Sequence, residues 1–183
     1  MKKNIGSVLA LYPMPLAVIG AMVNGKPNYV LVGHMGIMGH DHVMVSLAKP
    51  HYTNKGIIDN KVLSVNIVTE EWLAKADKMG CVSGNKTDKS ETFSYTLGEK
   101  GAPLIDDALL TIECEVEDIY DTKGFDNFIC TIAGTYADDS ILTDAGKINY
   151  HILQLRRAGC CFSLAHLKKP TQTPASRLKI SRW

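Results

Sequence analysis

Hydrophobic and polar residues alternate along much of the chain with the two-residue period that is typical of β-strands. The clearest case is 110–116, where Leu110, Ile112, Cys114 and Val116 alternate with polar residues. Other apolar runs of strand length predict further strands. The full predicted set is Leu16–Val23, Asn28–Val32, Val43–Ala48, Lys61–Val68, 110–116 and Phe128–Tyr136. We therefore expect a fold with at least six strands.

Glycines indicate where the predicted strands turn or bend. Asn24-Gly25 separates the first two strands, and this pair favours the positive φ angles of a tight hairpin. Gly134 lies inside the last predicted strand, where a glycine often marks a bulge.

Two short helices are predicted between the strands. The first begins at Thr53, whose hydroxyl suits an N-cap, and it stops near Asn60. The second has Thr69 as its N-cap, runs to Met79 and is followed by Gly80 as the C′ residue. Because the strands do not alternate regularly with long helices, the pattern favours a closed β-barrel with short helices over a parallel Rossmann sheet.

Length and composition agree with one globular domain. The chain has 183 residues, of which 45% are hydrophobic and 21% are charged, and a chain of this length needs no disulfide or metal for stability. No apolar run approaches the ~20 residues of a membrane span. Pro13 and Pro15 interrupt the apolar stretch near the start, so no signal peptide is predicted.

The number and spacing of the cysteines favour a cytoplasmic protein. Their number, five, is odd and no CxxC spacing occurs, so we expect reduced thiols. Cys114 and Cys130 lie on predicted strands and should be buried as small hydrophobic residues.

Charge divides the chain into two parts. Residues 1–144 carry 12 Lys or Arg against 19 Asp or Glu, whereas 145–183 carry 8 Lys or Arg and no acid. We predict a folded domain over 1–154 and a loosely ordered basic C-terminal tail over 155–183. Few aromatic residues accompany the basic ones in the tail, so a nucleic-acid partner is not predicted.

Common catalytic and metal-binding motifs are absent from the sequence. There is no GxSxG, HExxH or GxGxxG motif. His34, His40 and His42 lie in a Gly- and Met-rich stretch that could hold a metal or form a flexible connection with exposed histidines. A metal site needs three or four converging ligands, so we favour the second interpretation and predict no metal ligand.

Two segments have the composition of anion-binding loops. Segment 49–55 combines lysines, a hydroxyl and the start of a predicted helix, where free backbone N–H groups could bind a phosphate. Segment 83–90 combines hydroxyls, a glycine and two lysines, which could act as mobile point charges on a phosphate. Each segment alone could be a solvated turn. The two together favour a phosphorylated ligand if the fold brings them together.

Five short motifs occur along the chain. Their order identifies a protein family more specifically than any single motif does. They are Tyr12–Gly20, Gly25–Asn28, His51–Thr53, Ser64–Ile67, and Val82–Gly84 followed by Asp88-Lys89. Over about residues 8–137 the chain resembles the flavin reductase-like, FMN-binding split-barrel family, most closely its flavoredoxin-type branch. The resemblance implies a mainly β protein with a six-stranded split β-barrel of Greek-key type and short helices. It also implies a homodimer that binds FMN at or near the subunit interface.

The resemblance also implies a set of cofactor-binding residues. Asn28 would line the flavin, Thr53 would bind the FMN phosphate, and Lys89 would approach the flavin. The backbone of 32–36 would contact the ring. The full set is Asn28, Val32, Gly33, His34, Met35, Gly36, Ser46, His51, Thr53, Ser83, Gly84 and Lys89. No side chain is predicted as an obligate acid or base, because a flavin itself carries the redox chemistry.

Three positions depart from the family pattern and keep alternatives open. Leu31, His34 and His51 stand where family members commonly carry Thr, Trp and Arg. The main hypothesis is an oxidoreductase that passes electrons from NADH, NADPH or a reduced protein through FMN to an acceptor. One alternative is an FMN carrier without reductase turnover. The other is an interaction protein that keeps the barrel and has lost the cofactor.

Overall fold

Antiparallel strands form most of the regular structure in the computed structural model, which describes residues 1–11, 13–153 and 157–158. The strands are β1 (Met14–Pro15), β2 (Ala17–Val23), β3 (Lys26–Val32), β4 (Met35–Ile37), β5 (His42–Ala48), β6 (Val62–Ile67), β7 (Tyr95–Leu97), β8 (Pro103–Ile105), β9 (Leu110–Thr122), β10 (Phe125–Ala137) and β11 (Arg157–Ala158). The helices are α1 (Thr53–Asn60), α2 (Leu73–Cys81) and α3 (Tyr150–Leu153), with a 3₁₀ turn at Asp139–Ile141.

Within these residues, seven strands form one antiparallel sheet in the order β3-β2-β6-β9-β10-β5-β4. β3 and β4 are opposite edges of this sheet, although only Gly33 and His34 separate them in the chain. In a flat sheet these edges would lie about 29 Å apart. The three Cα steps from Val32 to Met35 span at most about 11 Å. The sheet must therefore curl, and the prediction of a mainly β split barrel with short helices is confirmed.

Two apolar clusters cover both faces of β2 and β3. The barrel interior contains Ile19, Leu63 and Phe128, together with Cys114 and Cys130, which are fully buried as predicted. The second cluster lies between the outer face of β2–β3 and α2. It includes Val18, Tyr29, Leu31, Trp72, Met79 and Phe93. Burial on both faces explains why these strands show continuous apolar runs rather than strict alternation.

The predicted strands are all present, and one further strand joins the main sheet. Residues 34–42 were expected to form a flexible connection, but Met35–Ile37 forms β4 and pairs with Val43–Val45. Three residues are too few to show a period, and pairing with β5 supplies the backbone hydrogen bonds that hold this strand. The register between β9 and β10 shifts beside Gly134, so the predicted bulge is confirmed.

Both predicted helices form, but the predicted caps are wrong. Tyr52 occupies the N-cap of α1 without a side-chain cap hydrogen bond, and Thr53 is the first helical residue. α2 begins after Trp72 rather than after Thr69, because Trp72 is buried in the second cluster and packing there sets the start. Gly80 lies inside α2, where a Cβ would approach the Leu31 side chain to 3.4 Å. Among the described residues, no helix has both the length and the apolar character needed to cross a membrane.

Part of the predicted C-terminal tail pairs with the start of the domain. Arg157–Ala158 form β11, which pairs antiparallel with Met14–Pro15, so these two residues are not loosely ordered as expected. The rest of the predicted tail, including Cys160 and Cys161, lies outside the described residues.

A fully buried carboxylate joins the β7–β8 hairpin to the main sheet. Glu113 on β9 accepts hydrogen bonds from the backbone N–H groups of Lys100 and Ala102 at 3.0 and 3.1 Å. Its second oxygen accepts from the Tyr136 hydroxyl at 3.1 Å. Three donors therefore depend on one carboxyl group that water does not reach.

Replacing this carboxylate should destabilise the fold much more than replacing its exposed neighbour. We expect Glu113→Ala to lower the free energy of unfolding by about 3 kcal/mol, because three donors, including the buried Ala102 N–H, lose their carboxyl acceptor. The control is Glu115→Ala, which removes an exposed ion pair with Lys100 and should cost less than about 1 kcal/mol. Urea unfolding measures both values. Equal losses would contradict the role given to Glu113.

Candidate functional site

An open cleft of about 650 Å³ lies beside the start of α1, within the size range of small-molecule sites. Its lining residues are Lys49, Pro50, His51, Tyr52, Asn54, Lys55, Ile58, Asp59, Asn85 and Asp126. The lining therefore includes most of the predicted anion loop 49–55 and one residue of the predicted loop 83–90. The fold brings the two segments together, as a shared phosphate site requires.

Three residues of the predicted set meet beside this cleft. The Asn28 amide on β3 donates a hydrogen bond to the Thr53 hydroxyl at 2.8 Å, and both side chains are buried. A Cβ on Gly84 would lie 2.5 Å from Asn28 Oδ1 and 2.8 Å from the Tyr52 ring, so only glycine fits there without displacement. The Thr53 oxygen accepts from Asn28 and its own O–H remains a donor, while Thr53 is 1% exposed and lies between the lining residues Tyr52 and Asn54.

Lys89 is a buried, fixed cation rather than the mobile point charge that the sequence suggested. Its ammonium donates to the carbonyls of Tyr29 on β3 and Met79 on α2 at 2.8 and 2.9 Å. The side chain is 4% exposed, and this burial lowers the pKa of Lys89 from 10.5 to about 8. Lys89 therefore holds the end of α2 against β3 while it places a positive charge behind the cleft.

His51 contributes a half-buried imidazole to the cleft wall. Burial lowers the pKa of His51, and the positive charge of Lys89 lowers it further. The neutral imidazole is therefore favoured near pH 7, and it can act as donor or acceptor without adding a full charge.

The lysines that line the cleft differ in how far their charge is neutralised. Lys49 forms an ion pair with Asp121 and lies 3.9 Å from Asp126. Lys55 instead donates to the neutral amide oxygen of Asn24 at 3.4 Å. Lys55 is therefore the better placed of the two to attract an anion.

The start of α1 offers fewer free donors than expected. The backbone N–H groups of Asn54 and Lys55 donate to the carbonyls of His51 and Tyr52 at 3.1 and 3.2 Å. A ligand at this helix start therefore depends more on side chains and on the helix dipole than the sequence indicated.

A second group of predicted residues lies where β3 continues into β4. The Ser46 N–H donates to the His34 carbonyl at 2.9 Å, and Gly36 pairs with Met44. The His34 ring meets the Phe125 ring edge-on at 5.9 Å. Phe125 precedes Asp126, which lines the cleft, so the backbone links the two groups.

The remaining predicted residues, Val32, Gly33, Met35 and Ser83, do not line the cleft. Val32 packs in the barrel interior, which leaves its backbone for a ligand, and Gly33 beside it is buried. Met35 packs partly against the same interior. Ser83 is exposed, and its hydroxyl accepts from the Asn85 N–H at 3.3 Å.

Two polar residues that contact each other at the cleft are absent from the predicted cofactor-binding set, although Asn54 lies within the predicted anion segment 49–55. Asn54 is 3% exposed and donates to Asp126 at 2.8 Å across the cleft. Its position next to Thr53 was the one local signal. Asp126 had no such signal, because its place follows from the pairing of β10 with β5.

Segment 34–42 contains the three histidines, His34, His40 and His42, that could have held a metal ion. Among the described residues, no group of three or more His, Cys, Asp or Glu side chains is arranged to hold a metal ion. His42 contacts Asp41 at 2.6 Å and Glu117 at 3.2 Å, and both contacts raise the pKa of His42.

Comparison with known proteins identifies the family. The model of the flavin reductase like domain matches residues 9–153, and the chain belongs to this family. The resemblance found from the five motifs is therefore confirmed. The flavoredoxin from Methanosarcina acetivorans is 30% identical, with a TM-score of 0.80 over 92% of this chain and 97% of that one.

Two further proteins are similar to this chain in sequence, and one of them is also similar in structure. The flavoredoxin of Desulfovibrio vulgaris (Miyazaki F) is 24% identical, with a TM-score of 0.77 over 91% of this chain and 98% of that one. The FMN reductase (NADH) RutF of Agrobacterium fabrum is 28% identical over 129 residues, which cover 66% of this chain and 74% of that protein.

The buried Lys89 should make stability depend on pH in a defined direction. Its folded pKa lies below its ordinary value, so the unfolded chain binds the extra proton between about pH 8 and 10.5. The stability of the wild type relative to Lys89→Met should therefore rise with pH, by about 2 kcal/mol between pH 7 and 10.

Urea unfolding at several pH values measures this difference. The matched control is Lys86→Met, an exposed lysine of the same loop, whose pH profile should parallel that of the wild type. Parallel profiles for wild type and Lys89→Met would show that Lys89 is not buried as described.

Proposed function

We propose that this chain is an FMN-binding flavoprotein of the flavin reductase and flavoredoxin type. It passes electrons from NADH, NADPH or a reduced protein through bound FMN to an acceptor. The observation that carries the proposal is the meeting of Asn28, Thr53 and Gly84 beside the cleft in a member of the flavin reductase-like family. The names of the relatives, flavoredoxin and FMN reductase (NADH), support this choice of cofactor and donor.

The cleft fits a phosphorylated ligand on several grounds. Its volume suits a small molecule, and Gly84 lets Asn28 and Tyr52 pack closely beside the cleft, where a Cβ would displace them. The Thr53 hydroxyl can donate, and Lys55 lies at the cleft with a neutral partner. A donor, a cation and the positive end of a helix are the groups that bind phosphate in proteins.

Each residue of the site then has a definite task. Thr53 donates to the phosphate, and Asn28 fixes the orientation of that hydroxyl. Lys55 and Lys89 supply positive charge, the first at the cleft and the second from behind it. The segment around His34, Gly36 and Ser46 lies next to the cleft and provides backbone for the flavin ring. FMN, when bound, supplies the hydride and electron chemistry, so the protein needs no acid–base residue of its own.

Two of the three departures from the family pattern, Leu31 and His51, are compatible with this site. Leu31 packs in the second apolar cluster against α2, so it belongs to the core rather than to the cleft. His51 replaces a charged residue by a neutral one, and Lys55 and Lys89 remain as cations. The observations therefore favour a retained cofactor over an interaction protein that has lost it.

We also propose a cytoplasmic homodimer whose sites lie near the subunit interface. Cys81, Cys114 and Cys130 are free thiols, which suits a reducing compartment. β4 is an edge strand whose last residue, Ile37, is 85% exposed, and Met38, which follows it, is 50% exposed. Proteins commonly cover such an edge, and a second copy is what the family resemblance implies. The unit proposed to carry the function is 1–154.

A titration of the purified protein with FMN, followed by NADH and then NADPH, tests the proposed function. We expect flavin absorption bands to stay with the protein after desalting and to bleach when a nicotinamide nucleotide is added anaerobically. Bound flavin that neither nucleotide reduces would instead favour a carrier, or an enzyme that is reduced by another protein. No uptake of FMN would contradict the proposal.

The close packing of Asn28 and Tyr52 against Gly84 should be needed for FMN binding. We expect Gly84→Ala to weaken FMN affinity at least about tenfold, because its Cβ would displace Asn28 or Tyr52. The control is Gly80→Ala, whose Cβ meets Leu31 at an ordinary 3.4 Å and should change affinity less than about twofold. Quenching of flavin fluorescence measures both. Similar affinities for the two variants would count against this site.

The proposed dimer can be tested at the exposed edge. The wild type should have a mass of about 40 kDa by light scattering, twice the chain mass of 20.0 kDa. Ile37→Lys should shift the mass towards that of one chain, because it places a charge at the apolar edge. Leu97→Lys, at another exposed apolar residue on β7, should remain dimeric. A monomeric wild type, or a Leu97→Lys variant that dissociates equally, would contradict the proposed interface.

A further inference from the structure

The imidazole of His51 lines the cleft and has no protein partner of its own. The residue is half-buried. Neither ring nitrogen hydrogen-bonds to another described residue, and neither is among the fully buried side-chain atoms that lack a partner. Each ring nitrogen therefore keeps contact with solvent. Because the residue lines the cleft, a ligand bound there can take the place of that solvent and supply the missing partner.

The surroundings of His51 favour its neutral form in the free protein. Lys89 lies behind the cleft at 4% exposure, and its positive charge opposes a second one on the imidazole. Burial acts in the same direction, so both effects lower the pKa of His51, and burial is the larger of the two.

No carboxylate offsets these effects on His51. The remaining charged or titratable groups of the cleft wall are Lys49, Tyr52, Lys55, Asp59 and Asp126. In the described part of the chain, neither Asp59 nor Asp126 forms an ion pair with His51, and Asp126 already contacts Lys49 and Asn54. A negative charge beside the imidazole must therefore come from a ligand.

A phosphate in the cleft would reverse this preference. A phosphate monoester carries close to two negative charges at pH 7, because its second pKa is about 6. An opposite charge within about 4–6 Å favours the protonated form of an imidazole. The imidazolium has two N–H donors where the neutral ring has one. Protonation therefore adds a charge and a donor on the wall that faces the ligand.

We propose that His51 takes up a proton from solvent when a phosphorylated ligand binds in the cleft, and that the imidazolium donates a hydrogen bond to the phosphate. The inference rests on the proposed function, in which this ligand is FMN. The free protein thus avoids a further positive charge near Lys89 and gains one only when the phosphate arrives. Because binding consumes a proton, the affinity for FMN falls as the pH rises above neutrality.

Calorimetric titration with FMN at pH 7, in buffers that differ in ionisation enthalpy, counts the protons taken up and needs no turnover. The wild type should take up at least about 0.3 proton for each FMN bound. Two other groups contribute little at this pH. Lys89, with a pKa of about 8, is already about nine-tenths protonated, and about nine-tenths of the phosphate is already the dianion.

Two variants test whether the proton goes to His51. His51→Gln keeps a neutral donor and acceptor, and His51→Arg carries a permanent positive charge, so neither can take up a proton at this position. Each should take up less than about 0.1 proton on binding FMN. The control is His151→Gln, which removes an exposed histidine of α3 outside the cleft and should keep the uptake of the wild type.

The outcomes separate this inference from the proposed function. Binding of FMN by the wild type without proton uptake overturns the inference and leaves the proposed function standing. Uptake that persists in His51→Gln also overturns it, because the proton then goes to another group. If His51→Gln no longer binds FMN, His51→Arg decides by the same criterion. Failure of the wild type to bind FMN overturns the proposed function and this inference together.

Discussion

Gly33 and His34 join the two opposite edges of the main sheet, and this short link forces the sheet to curl. A curled sheet has a closed interior, and the candidate site lies beside the start of α1, which packs against β2. The same constraint places β3 and β5, which are far apart in the order of strands, near each other. The segment that follows β5 lines the cleft, and Asn28 of β3 contacts Thr53 beside it.

The cleft depends on close packing and on buried polar contacts that link distant segments. α1 can cross β2 closely because Gly56 has no side chain, and a Cβ there would lie 2.3 Å from the Met22 carbonyl. This packing brings Thr53 to Asn28. Lys89 then links β3 to the end of α2 through two carbonyls. The polar groups of the site are thus part of the structural framework, which keeps them in place before any ligand arrives.

The sequence predicted the strands well because their patterns are local. Residues 110–116 alternate clearly, and a hairpin at Asn24-Gly25 forms as expected. The caps were wrong at Thr53 and Thr69 because tertiary contacts overrode local preference. β4 was missed because three residues carry no period.

The site was predictable only in part, and for a physical reason. Asn28, Thr53 and Gly84 came from the family resemblance, and the structure places them together. The burial of Lys89 and the contact between Asn54 and Asp126 could not be predicted, because each joins residues more than 50 positions apart. Such contacts follow from the order and register of the strands. A local sequence pattern does not predict either of them.

A crystal structure of the protein grown with FMN is the measurement that tests the central claim most directly. The account predicts that the phosphate lies within hydrogen-bond distance of the Thr53 hydroxyl, in the cleft beside Gly84, with the ring towards His34. A phosphate bound elsewhere on the barrel, with the cleft at the start of α1 left to solvent, would contradict it.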